Sequence, residues 1–363
     1  MIDAAVREKM ITRSLVSVGT RAYWARILHQ KRISLAFMGG SVTQGYENYR
    51  ILPESYPGIA ADMLRQQGYE VECTICADAG MDSLTGAVLA EDVVLSKKPD
   101  IVFLEYAINE TTLRHSVEYF ESLVRRLLDA PCSPAVCLLL MRSANDYSCA
   151  SFMRPMAEHY GLSCIDMREA LNPSLAAQEL TWDAFADKES HPNSDGHRLL
   201  AECVLHLIRC AGEQPRSPLP ALLPEPWLDA PFQALRRIEE GQVPEDILVT
   251  PDYPVSPRPL QFFHRSWCIT KASGAWTMHC RCRTAVIFFE AHIMPGYGSC
   301  RILLDGKPVK HPMLDGGVLH THSIYAWGNP HELVLMKQAE PAEHTITLEP
   351  LEDTVYLLCA AIE

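Results

Sequence analysis

The stretch Gly39-Gly40-Ser41-Val42-Thr43-Gln44-Gly45 follows directly on the apolar run Ile33-Ser34-Leu35-Ala36-Phe37-Met38. A buried-type strand therefore ends in a glycine-rich turn that carries a serine, the place where α/β folds present their reactive groups. Three motif readings can be sorted there. A phosphate-binding P-loop needs Gly-x-x-x-x-Gly-Lys-Ser/Thr, and the stretch holds no lysine. A dinucleotide fingerprint needs Gly-x-Gly-x-x-Gly, which this spacing does not supply. The nucleophile elbow of α/β-hydrolases needs glycine two residues after the serine, where Thr43 stands. Two readings stay open on the heptapeptide alone: a nucleophilic serine in another hydrolase setting, or a strand-to-helix turn capped by Ser41.

Working outward, two further strand-like runs end in polar turns. Glu70 to Ala77 leads into Asp78-Ala79-Gly80-Met81-Asp82-Ser83, and Asp100 to Tyr106 leads into Ala107-Ile108-Asn109-Glu110. Much later comes Asp187-Lys188-Glu189-Ser190-His191-Pro192-Asn193-Ser194-Asp195-Gly196-His197. Serine, glycine, asparagine and histidine thus follow in order, the first three each just after a strand. In this respect residues 1–212 resemble the SGNH (GDSL-type) hydrolase superfamily, named for those four residues. The resemblance implies a three-layer α/β domain built on a parallel sheet. It makes Ser41 the nucleophile and His191 its base. It also assigns the oxyanion hole to the backbone N–H groups of Ser41 and Gly80 and the side-chain amide of Asn109. No metal or organic cofactor is implied.

The chemistry explains the grouping. A serine hydroxyl is a weak nucleophile until a base takes its proton, and histidine titrates in the right range for that. The negative oxygen that develops on an attacked ester carbonyl needs preorganised donors. Glycine lets a backbone amide come close because it has no Cβ, and an asparagine amide donates without adding charge.

Two positions depart from the family pattern. The third block commonly reads Gly-x-Asn-Asp, whereas this chain has Ala107-Ile108-Asn109-Glu110. The last block commonly places aspartate three residues before the histidine, and here that position is Lys188. Asp187 is expected to orient His191, one extra residue being absorbed in a turn, with Asp183 and Glu189 as alternatives. His197 falls where Ser194 or Asp195 could cap a helix. It is read as a structural histidine of the helix Gly196 to Ala211, not as a second base or metal ligand.

Composition agrees with a hydrolase of two domains. A chain of 363 residues exceeds one ordinary domain. A formal charge of −13 without a basic stripe argues against nucleic acid or an anionic membrane as partner. No apolar run is long enough to span a bilayer, and the start Met1-Ile2-Asp3-Ala4-Ala5-Val6-Arg7 lacks a secretory pattern. Thirteen scattered cysteines fit reduced thiols, so a cytoplasmic location is expected. Cys73-x-x-Cys76 and Cys280-x-Cys282 read as strand cysteines.

The first half alternates strands and helices. Residues 3–30, Tyr56 to Gln67, Thr85 to Ser96 and the amphipathic His115 to Ala130 read as helical; Ala135 to Met141 and Ser163 to Met167 read as strands. Such alternation implies a mainly parallel sheet with helices on both faces. Five prolines between residues 215 and 226 then exclude a regular helix and suggest a stiff connector over 213–244. Beyond it the texture is short strands and turns: Trp276–Cys282, Ala285–His292, Cys300–Leu304, Glu332–Met336, His344–Leu348 and Thr354–Ala361. Asp305-Gly306 is a hairpin signal. Residues 245–363 are thus expected to form an antiparallel, jelly-roll-like β-sandwich.

By domain order and strand texture this second domain resembles the carbohydrate-binding-module-like sandwiches attached to SGNH carbohydrate esterases. Trp327, in the turn sequence Ala326-Trp327-Gly328-Asn329-Pro330, is a candidate sugar-stacking residue. The expected function is a serine esterase removing O-acetyl groups from carbohydrates, with acetylated mannan or xylan oligosaccharides as the class of partner. The alternatives are a lysophospholipase or thioesterase, and an inactive glycan-binding protein. Oligomeric state is not legible in the sequence.

Overall fold

The computed structural model of the chain describes residues 2–22, 24–48, 50–214, 222–250, 255–258 and 260–363. It divides into two compact units, Met1–Gln233 and Ala234–Glu363.

The first unit opens with α1 (Ala4–Ser14), whose N-terminus is capped by the Asp3 carboxylate accepting from Ala5 and Val6 N–H. There follow β1 (Leu15–Ser17), α2 (Trp24–His29), β2 (Arg32–Gly39), α3 (Ser41–Gln44), and the short pair β3 (Tyr46–Glu47) and β4 (Arg50–Ile51). The unit continues with α4 (Tyr56–Gln66), β5 (Glu70–Ala77), α5 (Ser83–Leu89), β6 (Ile101–Glu105), α6 (Arg114–Leu128) and β7 (Ala135–Leu140). It ends with α7 (Ala150–Tyr160), β8 (Ser163–Asp166), α8 (Met167–Ala176) and α9 (Ser194–Gly212). The strands form one six-stranded sheet in the order β1-β8-β7-β6-β2-β5. All neighbours are parallel except β1, which runs antiparallel to β8.

The expected helix over 3–30 is therefore corrected: it is two helices flanking an edge strand. Pairing with β8 overrides helical periodicity in Leu15-Val16-Ser17. Gly19 allows the close passage, since a Cβ there would lie 2.5 Å from the Ser163 nitrogen.

The central strand β2 is buried along its length after Arg32. Ile33, Leu35 and Phe37 pack in one cluster with Ala60, Leu64, Leu200 and Val204 from α4 and α9. On another side α5 packs on α6. Gly86 is the reason they approach: a Cβ there would lie 2.5 Å from the Tyr106 hydroxyl and 3.2 Å from Leu123. Full burial of side chains such as Phe37 and Leu35 contributes about 1.5–3 kcal/mol each relative to exposure, which explains the unbroken apolar run.

The second unit contains β9 (Arg236–Ile238), β10 (Leu248–Thr250), β11 (Val255–Pro257), β12 (Arg265–Ile269), β13 (Trp276–His292) and β14 (Ser299–Leu304). It closes with β15 (Lys307–Pro308), β16 (Val318–His320), β17 (Trp327–Glu352) and β18 (Val355–Ile362). Among the described residues these strands form one antiparallel hydrogen-bonded network. Two pairs of expected strands are in fact single long ones. Trp276–Cys282 and Ala285–His292 join as β13 through a bulge between Cys282 and Thr284. The core set switches there from Trp276, Met278, Cys280 and Cys282 to Ala285, Ile287, Phe289 and Ala291, as one extra residue requires. Glu332–Met336 and His344–Leu348 likewise lie in β17. The Asp305-Gly306 hairpin forms, with both residues at positive φ (52° and 73°) and Leu304 opposite Lys307.

The second unit starts before residue 245, because β9 pairs with β18. Of the expected connector, Pro215–Ala221 lies outside the described residues. Residues 222–233 are held on the first unit. The Glu121 carboxylate accepts from Leu228 and Asp229 N–H at 2.9 and 3.0 Å, and also from Trp227 N–H and the Tyr160 hydroxyl. Arg125 donates to the Pro224 carbonyl at 2.7 Å.

Candidate active site

Within the sheet, β5 lies on one side of β2 and β6 on the other. The carboxyl ends of these three strands therefore surround a topological switch point, where open α/β sheets place their ligand crevice. Ser41 follows β2, Gly80 follows β5 and Asn109 follows β6.

Ser41 is the first residue of α3, a single turn that ends at Gly45 in the left-handed region (φ 94°). The short turn leaves the first amides without intrahelical acceptors. Gly80 also has positive φ (80°), which a β-carbon would strain. The Asn109 side chain lies against Gly40: a Cβ at position 40 would be 2.6 Å from its Nδ2 and 2.6 Å from its Oδ1. The amide of Asn109 is thereby placed one residue from Ser41.

A hydrogen-bonded chain reaches the serine from the other side. His191 Nε2 lies 3.0 Å from Ser41 Oγ, and His191 Nδ1 lies 2.9 Å from Asp187 Oδ2. The other carboxylate oxygen, Asp187 Oδ1, accepts the N–H groups of Glu189, Ser190 and His191 at 2.9, 3.0 and 3.0 Å. This tight turn accommodates the extra residue at Lys188. Partial burial alone would raise the Asp187 pKa, but the N–H groups of His191 and Glu189 and the His191 ring outweigh it and hold the carboxyl below its usual value. Of the three acids considered, Asp187 is the one at His191 Nδ1; Asp183 and Glu189 contribute main-chain carbonyls, which accept from Asn193 Nδ2 at 3.1 Å and from Ala144 N–H at 2.6 Å.

His197 is buried beside Tyr56, whose N–H donates to its Nδ1 at 3.3 Å. Burial, and then the nearby His191, lower its pKa to about 4, so the ring stays neutral. It makes no contact with Ser41 like that of His191.

Several residues around the site were not read from the sequence. Tyr46 sets its ring edge-on to His191 at 4.8 Å. Trp182 Nε1 donates to the Asp187 carbonyl, and the Arg142 guanidinium lies 5.2 Å from the Trp182 ring. Glu105 is fully buried beneath the serine turn, where its Oε2 accepts from the Thr43 hydroxyl at 3.1 Å. Thr43 Oγ1 is also 2.9 Å from the Tyr56 hydroxyl. An acid closing an otherwise apolar strand, Ile101-Val102-Phe103-Leu104-Glu105, was the signal available. Nothing in the sequence pointed to Tyr46 or Trp182.

Residues 37–199 match the GDSL-like lipase/acylhydrolase family. This segment of the chain belongs to the SGNH hydrolase family. It is accordingly a carboxylic ester hydrolase. No match appears among curated proteins. Among solved structures, the chain is similar over 97% of its length to 97% of a two-domain esterase (CEX) active on acetylated mannans, with 18% identity and a TM-score of 0.81. The same esterase co-crystallised with mannopentaose gives 18% identity and a TM-score of 0.80 over 97% of each chain. An acetylxylan esterase from Geobacillus stearothermophilus aligns with 48% of this chain and 94% of its own, at 19% identity and a TM-score of 0.41. The CEX likeness extends the shared fold to both units.

Proposed function

We propose that the protein is a serine esterase that removes O-acetyl groups from carbohydrate, with acetylated mannan or related hemicellulose oligosaccharides as substrate. The observation that carries the catalytic part is the Ser41–His191–Asp187 chain, closed at 3.0 and 2.9 Å. With Nδ1 donating to the Asp187 carboxylate, His191 Nε2 is the atom free to take the Ser41 proton. Ser41 Oγ attacks the acetyl carbonyl, and the oxygen that becomes negative is received by the N–H groups of Ser41 and Gly80 and by the Asn109 amide. Collapse of this intermediate expels the sugar hydroxyl, which takes the proton from His191. A water molecule, deprotonated by the same ring, then releases acetate from the acetyl-enzyme.

The carbohydrate part is supported by the two-domain plan held in common with an esterase active on acetylated mannans. It is also supported by the exposure of Trp327 (59%), the first residue of β17, and of Tyr325 (85%) in the turn just before it. Large aromatic rings left in water are suited to stacking on the apolar face of a pyranose. Acetate release from acetylated mannan and xylan oligosaccharides, compared with hydrolysis of p-nitrophenyl acetate and longer p-nitrophenyl esters, tests both parts. Hydrolysis rates that rise with acyl length and no acetate from oligosaccharides would reject the acetyl-carbohydrate reading.

A further inference from the structure

The acid that follows Asn109 has no part in the scheme above, yet it is almost entirely buried. Glu110 is 3% exposed at the end of the turn after β6. Its Oε1 accepts the Ser83 N–H at 2.8 Å and also the Ser83 hydroxyl. Ser83 is the first residue of α5, three positions beyond Gly80, and Asp82 just before it caps that helix by accepting from Thr85 N–H at 2.8 Å. The main chain of the same turn is anchored as well. The Glu110 carbonyl accepts from the Tyr147 hydroxyl and from the Cys149 thiol at 3.3 Å, and Cys149 N–H donates to the Ala107 carbonyl at 2.7 Å. The loop after β7 that supplies Tyr147 and Cys149 also supplies Ala144, whose N–H donates to the Glu189 carbonyl beside His191 at 2.6 Å.

We propose that Glu110 is a positioning residue that locks the Gly80 loop to the Asn109 turn, so that the donors on either side of Ser41 stay in register. The inference rests on the assignment of Gly80 and Asn109 as oxyanion donors. Such donors stabilise the transition state only when held at hydrogen-bond distance from the oxygen that becomes negative, and small displacements forfeit most of the effect. Two loops from different strands have no covalent reason to keep that relation. A side chain that accepts twice from the first residue of α5, on a turn held again at its own carbonyl, supplies it. Burial, and then the Asp82 charge, push the Glu110 carboxyl up to about 8. At neutral pH it is mainly the uncharged acid, for which glutamine has the same shape and the same acceptor.

The test is steady-state kinetics on p-nitrophenyl acetate for the full-length wild type, Glu110→Gln, Glu110→Ala, Asn109→Ala, Ser41→Ala and the Glu110→Ala/Asn109→Ala double variant, with circular dichroism and thermal melting as folding controls. Glu110→Ala should lose about 10–100-fold in kcat while KM moves less than about 3-fold, and Glu110→Gln should stay within about 3-fold of wild type. Because Glu110 acts through the oxyanion donors, adding Glu110→Ala to Asn109→Ala should cost much less than it does alone. A folded Glu110→Ala enzyme with wild-type kcat, a loss confined to KM, or full multiplicativity in the double variant would overturn the proposal. Should Glu110→Ala not fold, Ser83→Ala removes one of the two hydrogen bonds, and its unchanged kcat would overturn the proposal equally. An inactive wild type, or an active Ser41→Ala, would instead reject the esterase mechanism and this inference with it.

Discussion

Asn109 packs so closely on Gly40 that a β-carbon at position 40 would lie 2.6 Å from its amide nitrogen. Glycine is required there for space, because any added carbon would collide with the Asn109 side chain. The residue before Ser41 thus sets the position of an amide that follows a different strand.

Gly40→Ala should therefore behave like a displaced Asn109. The expected outcome is a kcat loss approaching that of Asn109→Ala, roughly 10²–10³-fold for a lost oxyanion donor, with the smaller effect on KM. Steady-state kinetics on p-nitrophenyl acetate check it. A Gly40→Ala enzyme with near wild-type kcat would show that the Asn109 amide is not used.

Ser41→Ala and His191→Ala should each reduce hydrolysis to near background, and the double variant should be little worse, because the two act as a unit. Asp187→Asn should be severely impaired with its fold retained, since an amide at this position favours the wrong histidine tautomer. His197→Ala should chiefly lower the melting temperature. Reversed phenotypes for the two histidines would refute the assignment of the base.

Most of this site was legible because its residues sit at strand ends that the sequence marks by apolar runs broken by Gly, Asp and Asn. Ser41, Gly80 and Asn109 are each found that way. Asp187 followed from the tolerance of a turn for one added residue, and three N–H groups on its Oδ1 now show how the turn closes. What escaped was contact between elements far apart in the chain. Tyr46 on His191, Trp182 on the Asp187 carbonyl and the pairing of β1 with β8 depend on tertiary placement, which local periodicity does not encode. The bulge that joins two expected strands into β13 escaped for a similar reason. One extra residue between Cys282 and Thr284 imitates a turn in the hydrophobic pattern.

Glu105 supplies a pH dependence of stability. Burial, opposed by the Thr43 hydroxyl and nearby backbone amides, raises its carboxyl from 4.5 to about 8. An acid whose folded pKa exceeds its unfolded value holds its proton more tightly when folded. Its contribution is full below 4.5 and is lost as pH rises through about 8. Glu105→Gln keeps the acceptor for Thr43 and cannot ionise. Relative to wild type, this variant should gain melting temperature between about pH 5 and about pH 9. Parallel melting curves across that window would mean that Glu105 does not titrate there.

The segment 222–233 provides the last prediction, on where the catalytic unit ends. A boundary after α9, at Gly212, would remove the N–H groups of Trp227, Leu228 and Asp229 from the Glu121 carboxylate. It would also uncover Tyr119, against whose ring Phe232 packs at 5.1 Å. A carboxylate deprived of its buried donors costs about 1–3 kcal/mol or more, and a lost buried aromatic adds a similar amount. A chain ending at Gln233 should therefore melt cooperatively and cleave p-nitrophenyl acetate. One ending at Gly212 should melt several degrees lower or aggregate. On acetylated oligosaccharides the Gln233 chain should lose kcat/KM far more than on p-nitrophenyl acetate, and full-length Trp327→Ala should show a milder form of the same split. Equal losses on both substrates would assign the second unit a stabilising role only and would remove the exposed aromatic residues from the account of sugar binding.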